Sequence, residues 1–331
     1  MNPSELAWNQ GQTPQGTAVN AALMERVLYE VKRVVVGQDA FLERILVAIL
    51  AQGHLLIEGV PGLAKTLTVN TLAKTVSGSF KRIQFTPDLL PADLVGTRIF
   101  NPKTSEFSTV LGPVFANLLL ADEINRTPPK TQAALLEAMQ ERQVTTLGSV
   151  RALPDPFIVI ATANPIENDG TFPLPEAQLD RFMTRIGLGY PSETSEARIV
   201  DQHLAGTSAA PLPALTDAAG LRSLRELARK VTVTPEIRDY ALRLVRATRE
   251  HKLVQLGASP RASIALVTVA QGLALVHGRD HVTPDDVRAC AVSVLVHRLV
   301  LRPELWSTGA SARRVVDEVI AGVPTPEGLT G

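Results

Sequence analysis

The stretch that decides the fold is Glu58-Gly59-Val60-Pro61-Gly62-Leu63-Ala64-Lys65-Thr66-Leu67. It follows the short apolar run His54-Leu55-Leu56-Ile57 and opens a segment of helical character from Thr66 to Val76. A strand, a Gly-rich turn and a Lys-Thr pair at a helix start make a phosphate cradle. Backbone N–H groups point inward, the helix dipole favours anions, the Lys reaches the terminal phosphates and the hydroxyl binds Mg²⁺. A second run, Leu118-Leu119-Leu120-Ala121-Asp122-Glu123, reads as a buried strand ending in two carboxylates. Beside a phosphate cradle the Asp serves to hold Mg²⁺ and the Glu to take a proton from water. The pair implies a chain that binds and hydrolyses a nucleoside triphosphate.

One position departs from the pattern G-x-x-x-x-G-K-[ST]. Ala64 stands where the second Gly belongs, adding only a Cβ but losing the free access to positive φ that Gly has. A Gly-Pro turn before a surface helix would give the same first stretch, and the Asp-Glu strand downstream is what separates the two readings.

At 331 residues the length predicts two domains. Apolar residues make up 45% and charged residues 20%, ordinary for a chain with a sizeable core. Basic and acidic residues both number 33, which argues against a generally basic nucleic-acid binder. Cys290 is the single cysteine, so no internal disulfide forms, and its setting Arg288-Ala289-Cys290-Ala291-Val292 reads as a helix core. The N-terminal residues lack the basic-then-apolar pattern of a signal peptide, and no apolar run approaches the roughly 18 residues of a membrane span. The expected location is the cytoplasm.

Residues 1–17, rich in Asn, Gln, Gly and Pro, read as a flexible tail, followed by helices over Ala18–Val35 and Phe41–Gln52. From 18 to 190 an α/β core is expected, with the apolar strands His54–Ile57, Phe80–Phe85, Asn117–Ala121 and Phe157–Thr162 alternating with helices. That alternation predicts a parallel sheet covered by helices on both faces. Two hairpin signals interrupt it, at 96–110 and at 142–153, and such insertions are more often functional than structural. Thr207–Pro213 reads as a linker. Residues 191–331 form the second domain, purely helical from Leu221, with helix starts at Thr234-Pro235 and Thr283-Pro284.

Three further residues complete the expected site. Asn164 ends the strand Phe157–Ala163; at the carboxyl end of a strand beside the Asp-Glu strand it would face the γ-phosphate and orient the attacking water. Arg181, in Leu179-Asp180-Arg181-Phe182, stands where the first domain ends, and Arg suits a charge-dispersed phosphoryl transition state. Supplied in trans, such a group raises turnover by roughly 10³–10⁵. Arg261 follows Ser259-Pro260 in the first turn of a helix, where a cation opposes the helix dipole unless an anion binds there.

These residues resemble the MoxR family of AAA+ ATPases. The match runs from about residue 30 and includes Val36-Gly37-Gln38, Gly59 to Thr66, Asp122-Glu123-Ile124-Asn125-Arg126, Thr127 to Glu141, Ala161-Thr162-Ala163-Asn164-Pro165 and Leu256 to Arg261. The resemblance implies that Lys65 and Thr66 serve phosphate and Mg²⁺, that Asp122 holds Mg²⁺ and that Glu123 is the base. It makes Asn164 the first sensor, Arg181 the arginine finger and Arg261 the second sensor. Val36 and Gly37 match a segment that lies against the adenine of ATP. The hairpins look like the helix-2 and pre-sensor inserts of the branch that includes magnesium chelatases and replicative helicases. MoxR relatives are hexameric and chaperone-like, maturing protein complexes or aiding metal insertion, often with a von Willebrand factor A partner.

Two other readings compete. A DNA-translocating motor of the same branch has Lys103 and Arg151 in its favour. Against it stand the zero net charge and the small number of aromatic residues, two Trp, three Tyr and nine Phe, on which bases could stack. A nucleotide-dependent scaffold without turnover would need none of Glu123, Asn164 and Arg181.

Overall fold

The computed structural model describes residues 14–326 apart from 61, 77, 104, 147–148, 165–169, 206–211 and 306–310. Most of the expected tail, most of the linker at 207–213 and Pro61 therefore lie outside the described residues. The first helix begins at Pro14, ahead of the expected start at Ala18: α1 spans Pro14–Lys32 and α2 Asp39–Leu50. There follow β1 (Leu55–Glu58), α3 (Lys65–Thr75), β2 (Phe80–Gln84), α4 (Pro91–Val95), β3 (Gly96–Asn101), β4 (Glu106–Leu111), β5 (Leu118–Asp122), α5 (Pro129–Glu141), β6 (Gln143–Thr146) and β7 (Ser149–Ala152). The core closes with β8 (Ile158–Ala163), α6 (Glu176–Leu179) and β9 (Thr184–Gly187). Beyond it lie α7 (Glu193–Leu204), α8 (Ala218–Lys230), α9 (Pro235–Glu250), β10 (Val254–Leu256), α10 (Pro260–Val276), α11 (Pro284–Leu295), β11 (Val300–Leu301) and α12 (Ala312–Gly322).

Five strands form one sheet in the order β2-β5-β8-β1-β9, with every neighbouring pair parallel. Four are the expected apolar runs. The fifth, β9, carries Arg185 and Gly187 among four residues, so it has no apolar run to betray it. Both faces are covered because alternate residues of a strand point to opposite sides. Leu55, Ile57, Leu118, Leu120, Ile158 and Ile160 enter one core with α1, α2 and α3. Leu56, Leu119, Ala121, Val159 and Ala161 enter another with Leu135, Leu136 and Met139 of α5. A strand buried on both sides must read as continuously apolar, and β5 and β8 do.

The first core does not stop at the sheet. Leu221 and Leu224 of α8, Tyr240 and Leu244 of α9 and Leu266 of α10 belong to it, so the second domain is fused to one face of the first through shared apolar burial. Its helix starts are capped as expected, Thr234 accepting from Ile237 N and Thr283 forming a capping box with Asp286. It is not purely helical, since β10 and β11 pair antiparallel. Cys290 lies in its interior, where burial pushes the thiol up to about 12. The two hairpins, β3–β4 and β6–β7, stand where expected, each outside the main sheet.

His54, at the entry to β1, is buried between the sheet and α5. Its Nδ1 accepts from Val159 N at 3.0 Å, which leaves Nε2 to donate to Met139 O at 3.1 Å. Burial holds its pKa down at about 4, with Arg142 and Arg225 adding to the effect against the hydrogen bond to Met139. A histidine whose folded pKa lies below the unfolded value of 6.5 contributes stability that is complete above 6.5 and lost as pH falls towards 4. Between pH 7.5 and 5 the loss is about 2 kcal/mol from this group. Urea unfolding at the two pH values is expected to show a drop that is smaller by about this amount in His54→Gln; an unchanged drop would refute the assignment.

Candidate active site

The cradle is built where β1 ends. Gly59 N donates to Ala163 O at 3.4 Å, tying the loop to the end of β8. A Cβ on Gly59 would stand 2.8 Å from Leu188 O, so only glycine fits there. Gly62 turns with φ +86°, and Ala64 adopts the left-handed region at φ 55°, ψ 20°, immediately before α3. That conformation costs an L-residue roughly 1–2 kcal/mol. It presents the first N–H groups of α3 to the cavity, whose walls are the loop from Gly62 to Leu67 with Asp122, Glu123 and Asn164. The cavity measures about 370 Å³. Lys65 Nζ donates to Gly59 O at 2.7 Å; burial pulls its pKa down, opposed by the charges of Asp122 and Glu123.

Parallel pairing sets the acids opposite this loop. Asp122 ends β5, and Thr162 on the neighbouring β8 reaches it: Thr162 Oγ1 accepts from Glu123 N at 2.8 Å and donates to Asp122 Oδ1 at 2.6 Å. The incoming backbone N–H fixes the direction in which the hydroxyl proton points. Asp122 Oδ2 accepts from Thr66 Oγ1 at 3.3 Å and from Arg82 Nε and Nη2 at 3.2 and 2.7 Å. Burial alone would raise the Asp122 pKa, but the hydrogen bonds from Thr162 and Arg82, the Arg82 charge and Thr66 leave it below the ordinary value. The site therefore keeps this carboxylate ionised.

Glu123 also lies in the left-handed region, at φ 58°, ψ 50°. Its Oε2 accepts from Gln84 Nε2 at 2.7 Å and stands 3.3 Å from Arg126 Nη1. Asn164 is buried, its carbonyl accepting from Asn125 Nδ2 at 3.2 Å. Arg82, Gln84 and Thr162 were not anticipated from the sequence. The signal for the first two is the polar alternation on β2, which puts residues 82 and 84 on one face of an edge strand paired with β5.

Of the remaining expected residues, Val36 and Gly37 do not line the cavity. Gly37 (φ +77°) packs so closely on α7 that a Cβ would fall 2.4 Å from Ser195 Cβ. Arg181 and Arg261 stand elsewhere again. Strand β9 runs parallel to β1 with Thr184 opposite Leu55 and Gly187 opposite Glu58. Met183 N donates to His54 O at 2.8 Å, so Arg181 sits at the amino edge of the sheet while the cradle opens from the carboxyl edge. Four strand residues, about 13 Å at 3.3 Å each, separate the two. Arg261 lies by the same edge. Ser259, the residue ahead of α10, gives its hydroxyl to Asp180 Oδ2 at 3.4 Å instead of capping its own helix. Arg298 Nε donates to Asp180 Oδ1 at 2.7 Å, and Arg261 is close enough to press the Arg298 pKa down, after burial and against Asp180.

Residues 54–184 match the model of the ATPase family associated with various cellular activities, and residues 246–319 match the AAA lid domain. Chaperone MoxR1 of Mycobacterium tuberculosis is 47% identical over 322 residues, covering 95% of this chain and 85% of that protein. The chain belongs to the MoxR family of AAA+ ATPases. The uncharacterized protein YeaC of Bacillus subtilis is 45% identical over 304 residues, covering 92% of this chain and 95% of its own. A crystal structure of a Cytophaga hutchinsonii protein assigned as an ATPase is 42% identical and superposes with a TM-score of 0.88, covering 94% and 97% of the two chains. In this MoxR-family chain no described helix is long and apolar enough to cross a membrane.

Thr162 offers a direct test of the acid cluster. Thr162→Val leaves Glu123 N and Asp122 Oδ1 without their partner in a buried setting, an expected cost of about 1–3 kcal/mol by chemical denaturation. Thr162→Ser retains the hydroxyl and is expected to stay within about 1 kcal/mol of the parent. Equal losses in the two variants would show that packing, not hydrogen bonding, is what Thr162 provides.

Proposed function

We propose that this chain binds ATP with Mg²⁺ in the cavity beneath Lys65 and hydrolyses it to ADP and phosphate. The observation that carries the reading is the convergence of Lys65, Thr66, Asp122, Glu123 and Asn164 on one cavity at a helix N-terminus. The donor set fits a hard divalent cation: Thr66 Oγ1 and Asp122 Oδ2 lie 3.3 Å apart, and both are oxygens of the kind Mg²⁺ prefers. When bound, Mg²⁺ neutralises phosphate charge. The loop from Gly59 to Leu67 and Lys65 hold the phosphates, with Lys65 leaving Gly59 O to do so. Val36 and Gly37 serve the adenine beside α7. Glu123 takes a proton from the attacking water once its carboxylate turns from Gln84, and Asn164 orients that water.

Arg181 and Arg261 act on the nucleotide of a neighbouring subunit. What supports this is their shared location at the amino edge, a strand length from the chain's own cradle. The active form is therefore a homo-oligomer, a hexamer by resemblance, with residues 18–190 as the core and 191–331 as the lid. The work done is remodelling or maturation of a client protein complex in the cytoplasm, with a von Willebrand factor A protein as partner and metal insertion as one form of it. Support for a protein client comes from the β3–β4 hairpin, which holds Ile99, Phe100, Phe107, Val110 and Leu111 about half exposed. Such a surface suits apolar segments better than a phosphate backbone.

Three variants test this. Lys65→Ala is expected to abolish ATP binding, whereas Glu123→Gln keeps binding and loses turnover by at least about 100-fold. Arg181→Ala is expected to bind ATP normally, assemble normally and lose turnover about 1000-fold. An assembled Arg181→Ala protein with parental turnover would sink the trans assignment, and parental turnover in Glu123→Gln would sink the base.

A further inference from the structure

We propose that the seam between α2, the base of the β6–β7 hairpin and α8 is a second anion site, one that takes a diphosphate group. Four guanidinium groups gather there. Arg229 and Arg142 both donate to one neutral acceptor, Gln52 Oε1, at 2.7 and 3.5 Å. Arg222 donates to the Asp155 backbone carbonyl at 2.8 Å, and Arg225 Nη1 lies 3.6 Å from Asp155 Oδ1. Arg225 is 2% exposed; its Nε donates to Ile49 O at 3.0 Å, and its Nη2 has no partner among the described residues.

Two costs coincide at this seam. A buried guanidinium N–H without an acceptor forfeits its hydration. Arg222, Arg225 and Arg229 share one face of α8 at spacings of three and four, where like charges repel. Gln52 and Arg142, which gather the cluster from the core side, sit at the C-terminal ends of α2 and α5 in the left-handed conformation that commonly closes a helix. In a chain whose charges sum to zero, four cations here meet one carboxylate, a surplus of three. Burial, with Arg142, Arg229 and Arg222 adding to it against Asp155, holds Arg225 down at about 10.

An anion at the seam relieves both costs. Guanidinium forks match phosphoryl oxygens in pairs. A carboxylate supplies one charge and a monophosphate about two, so a diphosphate matches the surplus. The guanidiniums converge on two residues, Gln52 and Asp155, instead of running along the surface, which favours a compact anion over an extended polymer. Because the cluster joins the core (Gln52, Arg142, Asp155) to the lid helix α8, the bound anion would staple the two domains together.

The probe is inorganic pyrophosphate, titrated by calorimetry in EDTA at fixed ionic strength. The protein carries Lys65→Ala to remove the phosphate cradle. One pyrophosphate per chain is expected, weakened at least about tenfold by adding Arg222→Gln and Arg229→Gln, both exposed positions. Arg222→Lys with Arg229→Lys keeps the charge and loses the fork, so it is expected to fall between. No binding in the Lys65→Ala protein overturns the proposal, as does binding unaffected by the glutamine pair. Sulfate at the same ionic strength binding as well as pyrophosphate would reduce the site to charge screening and overturn the diphosphate assignment.

Discussion

Parallel pairing of β1 with β8 on one side and β9 on the other is the constraint from which the arrangement of this site follows. A parallel sheet sends all its strand ends the same way, so the loop after β1, the acids after β5 and Asn164 after β8 meet at one edge. The same rule sends whatever precedes a strand to the other edge. Arg181 precedes β9, and the lid residues Ser259 and Arg298 are fastened there through Asp180. One chain thereby presents a phosphate cradle on one edge and a pair of arginines on the other. On the proposed reading, the two edges are brought together when copies meet edge to edge.

The acid cluster adds a second level of order. Thr162 spends its acceptor on Glu123 N and its proton on Asp122, so one hydroxyl orients both consecutive carboxylate-bearing residues. Arg82 and Gln84, two residues apart on the edge strand β2, then take one carboxylate each. Charge at Asp122 is thus balanced from within the chain before any metal arrives, and a cation binding between Thr66 and Asp122 competes with Arg82 for Oδ2. The acids are held by groups that must yield, which makes β2 as much a part of the site as the cradle loop.

Most of this was legible because chemistry and burial left strong marks. The doubly buried strands had to be continuously apolar, and the cradle needed its glycines and its Lys-Thr pair. Strand β9 was invisible because four residues with an arginine and a glycine carry no periodic signal; its pairing depends on β1, which no local pattern encodes. Thr162 reads as an ordinary β-branched strand residue until its neighbour across the sheet is known. Arg82 and Gln84 read as the exposed side of an edge strand. The spacing of Arg222, Arg225 and Arg229 is visible in the sequence, but their meeting with Arg142 and Asp155 depends on a fold that brings residues far apart in the chain together. The one departure in the motif, Ala64, gives up the free access to positive φ that glycine has, and the structure has Ala64 in that region all the same.

Among the described residues, five without a glycine's freedom adopt positive φ: Gln52, Ala64, Ser105, Glu123 and Arg142. Ser105 lies in the turn of the β3–β4 hairpin, where such a conformation is routine. The other four divide between two places. Ala64 and Glu123 bracket the cavity beneath Lys65, and Gln52 and Arg142 bracket the arginine cluster. A left-handed residue is tolerated only when packing or hydrogen bonding leaves no cheaper path, and Glu123 N is indeed committed to Thr162. At Ala64 the strain turns the start of α3 towards the cavity, and at Glu123 it swings the carboxylate out of line with β5. At the seam, Gln52 and Arg142 end α2 and α5, where a left-handed residue is common, and Arg142 shares the Gln52 amide oxygen with Arg229 of α8. Strain at the cavity beneath Lys65 is understandable as preorganisation; at the seam the left-handed residues are helix ends, and what sets that place apart is four guanidinium groups around one carboxylate.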